Sequence, residues 1–197
     1  MNPNRRFRLL LVGVGGQGVL SAARMLGEAA LAEGKQVVVG QIHGMSQRGG
    51  SVESTVLIGP GRSSFIGPGG ADALLALEPL EAMRALPRLS RRTRVVVSLG
   101  KIPPFTLAQK GQPYPDLDGV LAALRGAARD VITVDGPALA EAAGSARALN
   151  MVMLGALASL GVLPVSLEAV EKALQDSGPG GQAGCRAFRL GGKAIAR

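Results

Sequence analysis

The chain has one cysteine, one histidine, one tyrosine, four phenylalanines and no tryptophan. A single cysteine forms no internal disulfide and by itself holds neither an iron–sulfur cluster nor a structural zinc. A single histidine excludes a histidine-based metal cluster, so no metal site is expected. Four Phe and one Tyr are too few for the stacking surface of a single-stranded nucleic-acid binder. Acids are also scarce, 14 against 22 Lys and Arg, for a net charge of +8. Such a balance draws a protein to anionic ligands, acidic partners or nucleic acid, and the lack of aromatics argues against the last. Long apolar runs are absent too. The uncharged stretch 148–165 is broken by Asn150, Gly155, Ser159, Gly161 and Pro164. It reads as a buried helix ending near Gly161, because a span needs about 20 predominantly apolar residues. The basic start, residues 1–8, precedes only four apolar residues and makes no signal peptide. A cytoplasmic protein with no membrane segment is expected.

What is present points to one place. Leu9–Val12 is an unbroken apolar run, as in a parallel-sheet strand covered on both faces. Directly behind it stand Gly13, Val14, Gly15, Gly16, Gln17 and Gly18, and then apolar residues at helical spacing up to Gly34. The glycines therefore lie at a strand-to-helix turn, where unpartnered N–H groups and the positive end of the helix dipole suit an anion. Glycines 13, 15 and 18 match the dinucleotide spacing G-x-G-x-x-G, which is weak evidence alone. The acid that would hold a ribose, at the end of the second strand, is missing: Gln36–Val39 runs into Gly40, Gln41 and Ile42. A standard NAD site is thus disfavoured, a phosphate-bearing ligand is not, and glycines that merely allow tight packing remain the plainer alternative.

The second strand leads into His43, Gly44, Met45, Ser46, Gln47, Arg48, Gly49 and Gly50. In open α/β sheets ligands bind outside the carboxyl ends of the strands, so this loop and the glycine turn can border one crevice. Arg48 suits bidentate pairing with a phosphate or carboxylate, and Ser46 and Gln47 offer neutral hydrogen bonds. His43 has no nucleophile assignable by spacing, and a structural histidine is the plainer reading. No residue is assigned to bond making.

The remaining chain alternates strands with helices. Residues 51–58 alternate polar and apolar, which predicts an edge strand, antiparallel to its neighbour. Strands are expected at 73–77, 95–99 and 131–134, and helices at 79–86, 117–128, 137–143, 146–160 and after Ser166. Residues 101–115, with four prolines, read as a long loop. The glycine-rich residues 178–197 read as a loose tail, Cys185 within it as an unremarkable thiol. Together these predict an α/β fold: a single three-layer α/β/α domain over 1–197, Rossmann-like, with a largely parallel, mixed-edge sheet.

The turn Gly13-Val14-Gly15-Gly16-Gln17-Gly18 and the loop His43–Ser51, at this separation, resemble the gamma-type component of the 2-oxoacid:ferredoxin oxidoreductases, in the form of the indolepyruvate enzymes' beta subunit. Residues 72–82 and 150–156 are similar to that family as well. The resemblance implies a subunit that is not self-sufficient, in a complex that oxidatively decarboxylates a 2-oxo acid with coenzyme A to acyl-CoA and carbon dioxide, and reduces ferredoxin. It implies thiamine diphosphate and iron–sulfur clusters on a partner subunit, ferredoxin met only indirectly, and a share in handling coenzyme A here. Gly13, Gly15, Gly16, Gln17, Gly18, His43, Ser46, Gln47, Arg48, Gly49 and Gly50 are the candidate site. A homodimer of the isolated chain, and a standalone Rossmann-like oxidoreductase binding a nucleotide or flavin, stay open as alternatives.

Overall fold

A computed structural model describes residues 6–43, 50–104, 107, 111 and 113–195, with His43 through its backbone alone. The elements run β1 (Phe7–Val14), α1 (Val19–Ala32), β2 (Val37–His43), β3 (Ser51–Ile58), β4 (Ala73–Ala76), α2 (Pro79–Arg84) and β5 (Arg94–Ser98). They continue with α3 (Leu117–Ala127), β6 (Asp130–Val134), α4 (Gly136–Ala142), α5 (Leu149–Ser159), α6 (Leu167–Asp176) and α7 (Gly181–Ile195). One six-stranded sheet has the order β2-β3-β1-β4-β5-β6. β1, β4, β5 and β6 pair in parallel. β3 is antiparallel to both its neighbours, so it alone runs against the rest.

The unbroken apolar character of β1 follows from its central place. Leu9 and Leu11 point into one core, with α1 and α4 to α7, while Leu10 and Val12 point into the other, with α2 and α3. This is the expected three-layer arrangement. α1 ends as its sequence predicts. Gly34 takes φ +71°, and the N–H groups of Gly34 and Lys35 turn back to Leu31 O and Ala30 O, a Schellman closure.

Two expectations are corrected. β3 is not an edge strand: it lies between β2 and β1, and β2 takes the edge. Its alternation has another cause. Its polar residues meet polar partners on α2 and the turn after it: Ser51 donates to Glu81 at 2.5 Å and Glu53 pairs with Arg88 at 2.5 Å.

Nor is the C-terminal segment loose. Residues 181–195 form α7, which packs on α5 and buries Cys185, Ala187 and Phe188. Burial of Phe188 alone stabilises the docking by roughly 2–3 kcal/mol. The glycines that suggest looseness are what permit the contact. A Cβ on Gly191 would fall inside the Val152 carbonyl, and one on Gly155 inside that of Phe188. The two helix backbones touch where neither can bear a side chain.

Candidate functional site

The glycine turn sits at the carboxyl end of β1, between that strand and β4. The chain leaves β1 for α1 on one face of the sheet and leaves β4 for α2 on the other. This is the switch point at which α/β sheets open a crevice. Gln17 spans it. Its Oε1 accepts from Val14 N at 2.7 Å and its Nε2 donates to Leu77 O at 2.9 Å, joining the ends of β1 and β4. The Gln17 N–H closes the turn onto Val14 O at 3.0 Å. Both ends of the Gln17 amide are thus bound to backbone.

Each glycine has a separate reason. A Cβ on Gly13 would lie 2.8 Å from Gln17 Oε1 and 2.9 Å from Val19. Gly16 and Gly18 have φ of +101° and +80°, in the left-handed region. Gly18 also faces Asn150, whose Nδ2 donates to Gly18 O at 3.1 Å while its Oδ1 accepts from Met151 N at 2.9 Å. Asn150 therefore bridges backbone groups across 132 residues. Gly15 N donates to Gly50 O at 2.8 Å, so the glycine turn and the end of the second loop are in contact. The structure brings Gly13, Gly15, Gly16, Gln17, Gly18 and Gly50 together, and His43 ends β2 in register with Val52. Ser46, Gln47, Arg48 and Gly49 lie outside the described residues.

Among the described residues the first donors of α1 meet no acceptor. α1 begins with the bond from Ala22 N to Gly18 O, so the N–H groups of Val19, Leu20 and Ser21 precede it and have no intrahelical acceptor. Gly18 supplies no side-chain cap, and the first turn holds no acid. Gly16, Leu20 and Ser21 are exposed there.

Beside the turn lies a polar network that sequence reasoning missed. Glu78 is fully buried and caps α2 by accepting from Glu81 N at 3.0 Å. Its other oxygen accepts from Tyr114 Oη and from Ile102 N, so one carboxylate binds both ends of the segment 102–114. Burial, and then the Glu78 carboxylate, push the Tyr114 phenol well above its ordinary pKa, which keeps it protonated and donating. Glu81, 2% exposed, accepts from Ser51 and from Arg84, the latter at 2.6 Å. The available signal was a pair of acids flanking a proline just past a buried strand, with the only tyrosine in a proline-rich loop.

Of the five arginines between residues 84 and 94, three are paired: Arg84 with Glu81, Arg88 with Glu53 and Arg94 with Asp130. A cavity of about 1070 Å³ lies at the amino ends of the strands, where Arg8, Lys35, Arg92, Arg94 and Arg129 line it with Asp72. It is at the opposite edge of the sheet from the glycine turn. Among the described residues no group of three His, Cys, Asp or Glu side chains can hold a metal. No helix among them is long and apolar enough to cross a membrane.

Fold and turn together define a Rossmann-like α/β/α protein with an anion-ready glycine turn at its switch point. The family model described as pyruvate ferredoxin/flavodoxin oxidoreductase matches residues 8–194. The chain belongs to that family. It is 41% identical to the indolepyruvate oxidoreductase subunit IorB of Methanothermobacter thermautotrophicus, over 96% of this chain and 98% of that one. The keto/oxoacid ferredoxin oxidoreductase gamma subunit from Geobacter sulfurreducens superposes with a TM-score of 0.69 at 27% identity, over 96% of this chain and 98% of that. The same fold recurs, at TM-score 0.72 and 20% identity, over 98% of this chain and 31% of the longer chain of a 2-oxoglutarate:ferredoxin oxidoreductase from Magnetococcus marinus.

Proposed function

We propose that this chain is the small, gamma-type subunit of an indolepyruvate-type 2-oxoacid:ferredoxin oxidoreductase, and that its glycine turn holds the anionic part of coenzyme A. The observation that carries the second half is the start of α1, which has no side-chain cap among the described residues and no acid in its first turn, and exposes Leu20 and Ser21 at the sheet's switch point. Its N–H groups and dipole favour a phosphate there by about 0.3–1 kcal/mol for the dipole alone, with the hydrogen bonds in addition. On its place in the sequence two residues before Gly50, we assign to Arg48 the full positive charge for the same ligand.

The donor set of this chain fits that division of labour. With one cysteine, itself buried, it has no ligands for an iron–sulfur cluster. Thiamine diphosphate and the clusters belong to the partner subunit, and ferredoxin is met there. Thiamine diphosphate on that subunit supplies the means of stabilising a carbanion. This chain's residues orient and bind, and none of them makes or breaks a bond. A standalone NAD-dependent enzyme is disfavoured, because no acid ends β2 to hold a ribose.

The test is made on the assembled complex. Arg48→Ala should raise the KM for coenzyme A roughly tenfold or more, as for loss of one charge-assisted contact, and leave coenzyme A-independent decarboxylation intact. Equal loss of both activities would assign Arg48 to assembly instead.

A further inference from the structure

The two outer edges of the sheet are built differently. The edge at β6 is guarded. Asp130 opens that strand and is held by Arg94 at 3.3 Å and Arg129 at 3.6 Å. Charges of this kind are how natural sheets prevent another chain from pairing with their backbone. The edge at β2 has no such guard. Its sequence, Val37 to His43, contains no Lys, Arg, Asp, Glu or Pro, and among the described residues no strand pairs with its outer side. The nearest charges before it, Glu33 and Lys35, are bound to each other.

Apolar side chains stand on both faces of this open edge. Val39 lies over α1, against the space where Gly27 has no side chain, and is 38% exposed. Ile42 is on the opposite face and is 59% exposed. Gly40, on the same face as Ile42, is covered by Ser64, and the next residue, Phe65, is 71% exposed. An incoming strand would therefore find a row of backbone donors and acceptors with apolar contacts above and below. That is the arrangement by which strand addition obtains both affinity and specificity.

We propose that β2 is an interface strand, completed by an extended, apolar-alternating segment of the thiamine diphosphate-bearing subunit. This rests on the subunit reading given above. The occupant is a different chain rather than a second copy because each copy carries a net charge of +8, and two such chains repel. A long-chain relative in fold includes this unit as 31% of its length. Where the unit is a separate chain, it must be held by contacts instead of by linkage, and an unguarded edge is the surface in this fold suited to that.

The test uses the co-expressed complex and measures backbone hydrogen exchange over residues 37–43. Exchange there should slow by at least about tenfold in the complex relative to the isolated chain, as expected when exposed amides enter a ladder. Ile42→Lys and Val39→Lys should each weaken assembly roughly tenfold or more. Because Ile42 is 59% exposed and Val39 packs on α1, it is the isolated Ile42→Lys variant that should keep the parent's melting temperature. A complex in which the β2 amides exchange as fast as in the free chain would overturn the proposal and leave the subunit reading intact. Slowed exchange in the isolated chain, rising with its concentration, would also overturn it in favour of self-pairing. If the wild-type chain forms no complex at all, the subunit reading fails and this proposal with it.

Discussion

Replacing Gln17 by leucine separates two roles that this position could have, a strap between strands and a ligand for coenzyme A. The leucine side chain is of similar volume but cannot accept from Val14 N or donate to Leu77 O, now 2.7 and 2.9 Å away. Two hydrogen bonds of ordinary net worth, about 0.5–1.5 kcal/mol each, amount to about 1–3 kcal/mol. Partial exposure of Gln17 lets water answer one of the abandoned groups, which favours the lower half of that range. For a chain of this size, the melting temperature should fall by about 2–4 °C per kcal/mol, or roughly 2–12 °C in all. The assay is thermal and urea unfolding of the isolated chain, followed by the coenzyme A dependence of the assembled enzyme. A strap predicts a clear loss of stability and a rise in KM that is largely recovered at low temperature. An unchanged melting temperature together with loss of coenzyme A binding would refute the reasoning and make Gln17 a direct ligand.

Gly191→Ala should cost at least about 1–3 kcal/mol, because the added methyl meets the Val152 carbonyl and the two helices must part; limited proteolysis should then release the C-terminal helix. Cys185 is buried, and burial first, then the nearby Glu171, raise its pKa, so at neutral pH a thiol reagent should modify the native chain far more slowly than the unfolded one. Ser54 is buried with a hydroxyl that has no partner among the described residues, and Ser54→Ala should therefore be neutral or stabilising by up to about 1 kcal/mol in urea unfolding. Glu171 has its pKa lowered, chiefly by hydrogen bonds from Arg189. A group with a depressed native pKa adds stability that is present above its unfolded value and lost as pH falls through its native value. The bridge should thus contribute at neutral pH and fade below about pH 4, and Arg189→Ala should flatten the unfolding profile in that acid range.

The architecture was legible where the local pattern had a single cause. A four-residue apolar run, a glycine turn and a helix of small residues have few arrangements other than a strand buried on both faces with a helix over it. The misreadings had two causes each. Alternation in residues 51–58 is produced by an edge, or by an interior strand whose polar residues find polar partners on the element above them, and only the pairing of β3 with both β1 and β2 separates these. Glycines at 180, 181, 184, 191 and 192 are produced by a flexible tail, or by a helix whose backbone touches another. Here the partner glycine is at 155, and no local window contains both. The same holds at the site. The glycine spacing was visible, but the Gln17 strap depends on Leu77, 60 residues away, and the anchoring of residues 102 and 114 depends on Glu78.

The net charge of +8 invites an anion into the large cavity at the amino edge, yet the charge distribution argues for the smaller site. Five cations line that cavity. Asp72 lines it too, and Asp130 and Glu33 are bound to three of the cations. That leaves two positive charges over a wide opening. α1 and α5 also end there, at Gly34 and Gly161, and each helix C-terminus carries roughly half a negative charge. The net is then about one charge in a cavity of about 1070 Å³, little more than a solvated surface offers. At the glycine turn the positive element is the helix end itself. No acid lies in its first turn, and the nearby carboxylates are occupied, Glu81 by Arg84 and Ser51, Glu78 by three donors. Several N–H groups that converge on one point bind a phosphate more effectively than dispersed arginines, because their positions are fixed before the ligand arrives. Most of the basic charge at that cavity therefore balances acids and helix ends within this chain, and in the function we propose the anion is assigned to the backbone of α1's first turn instead.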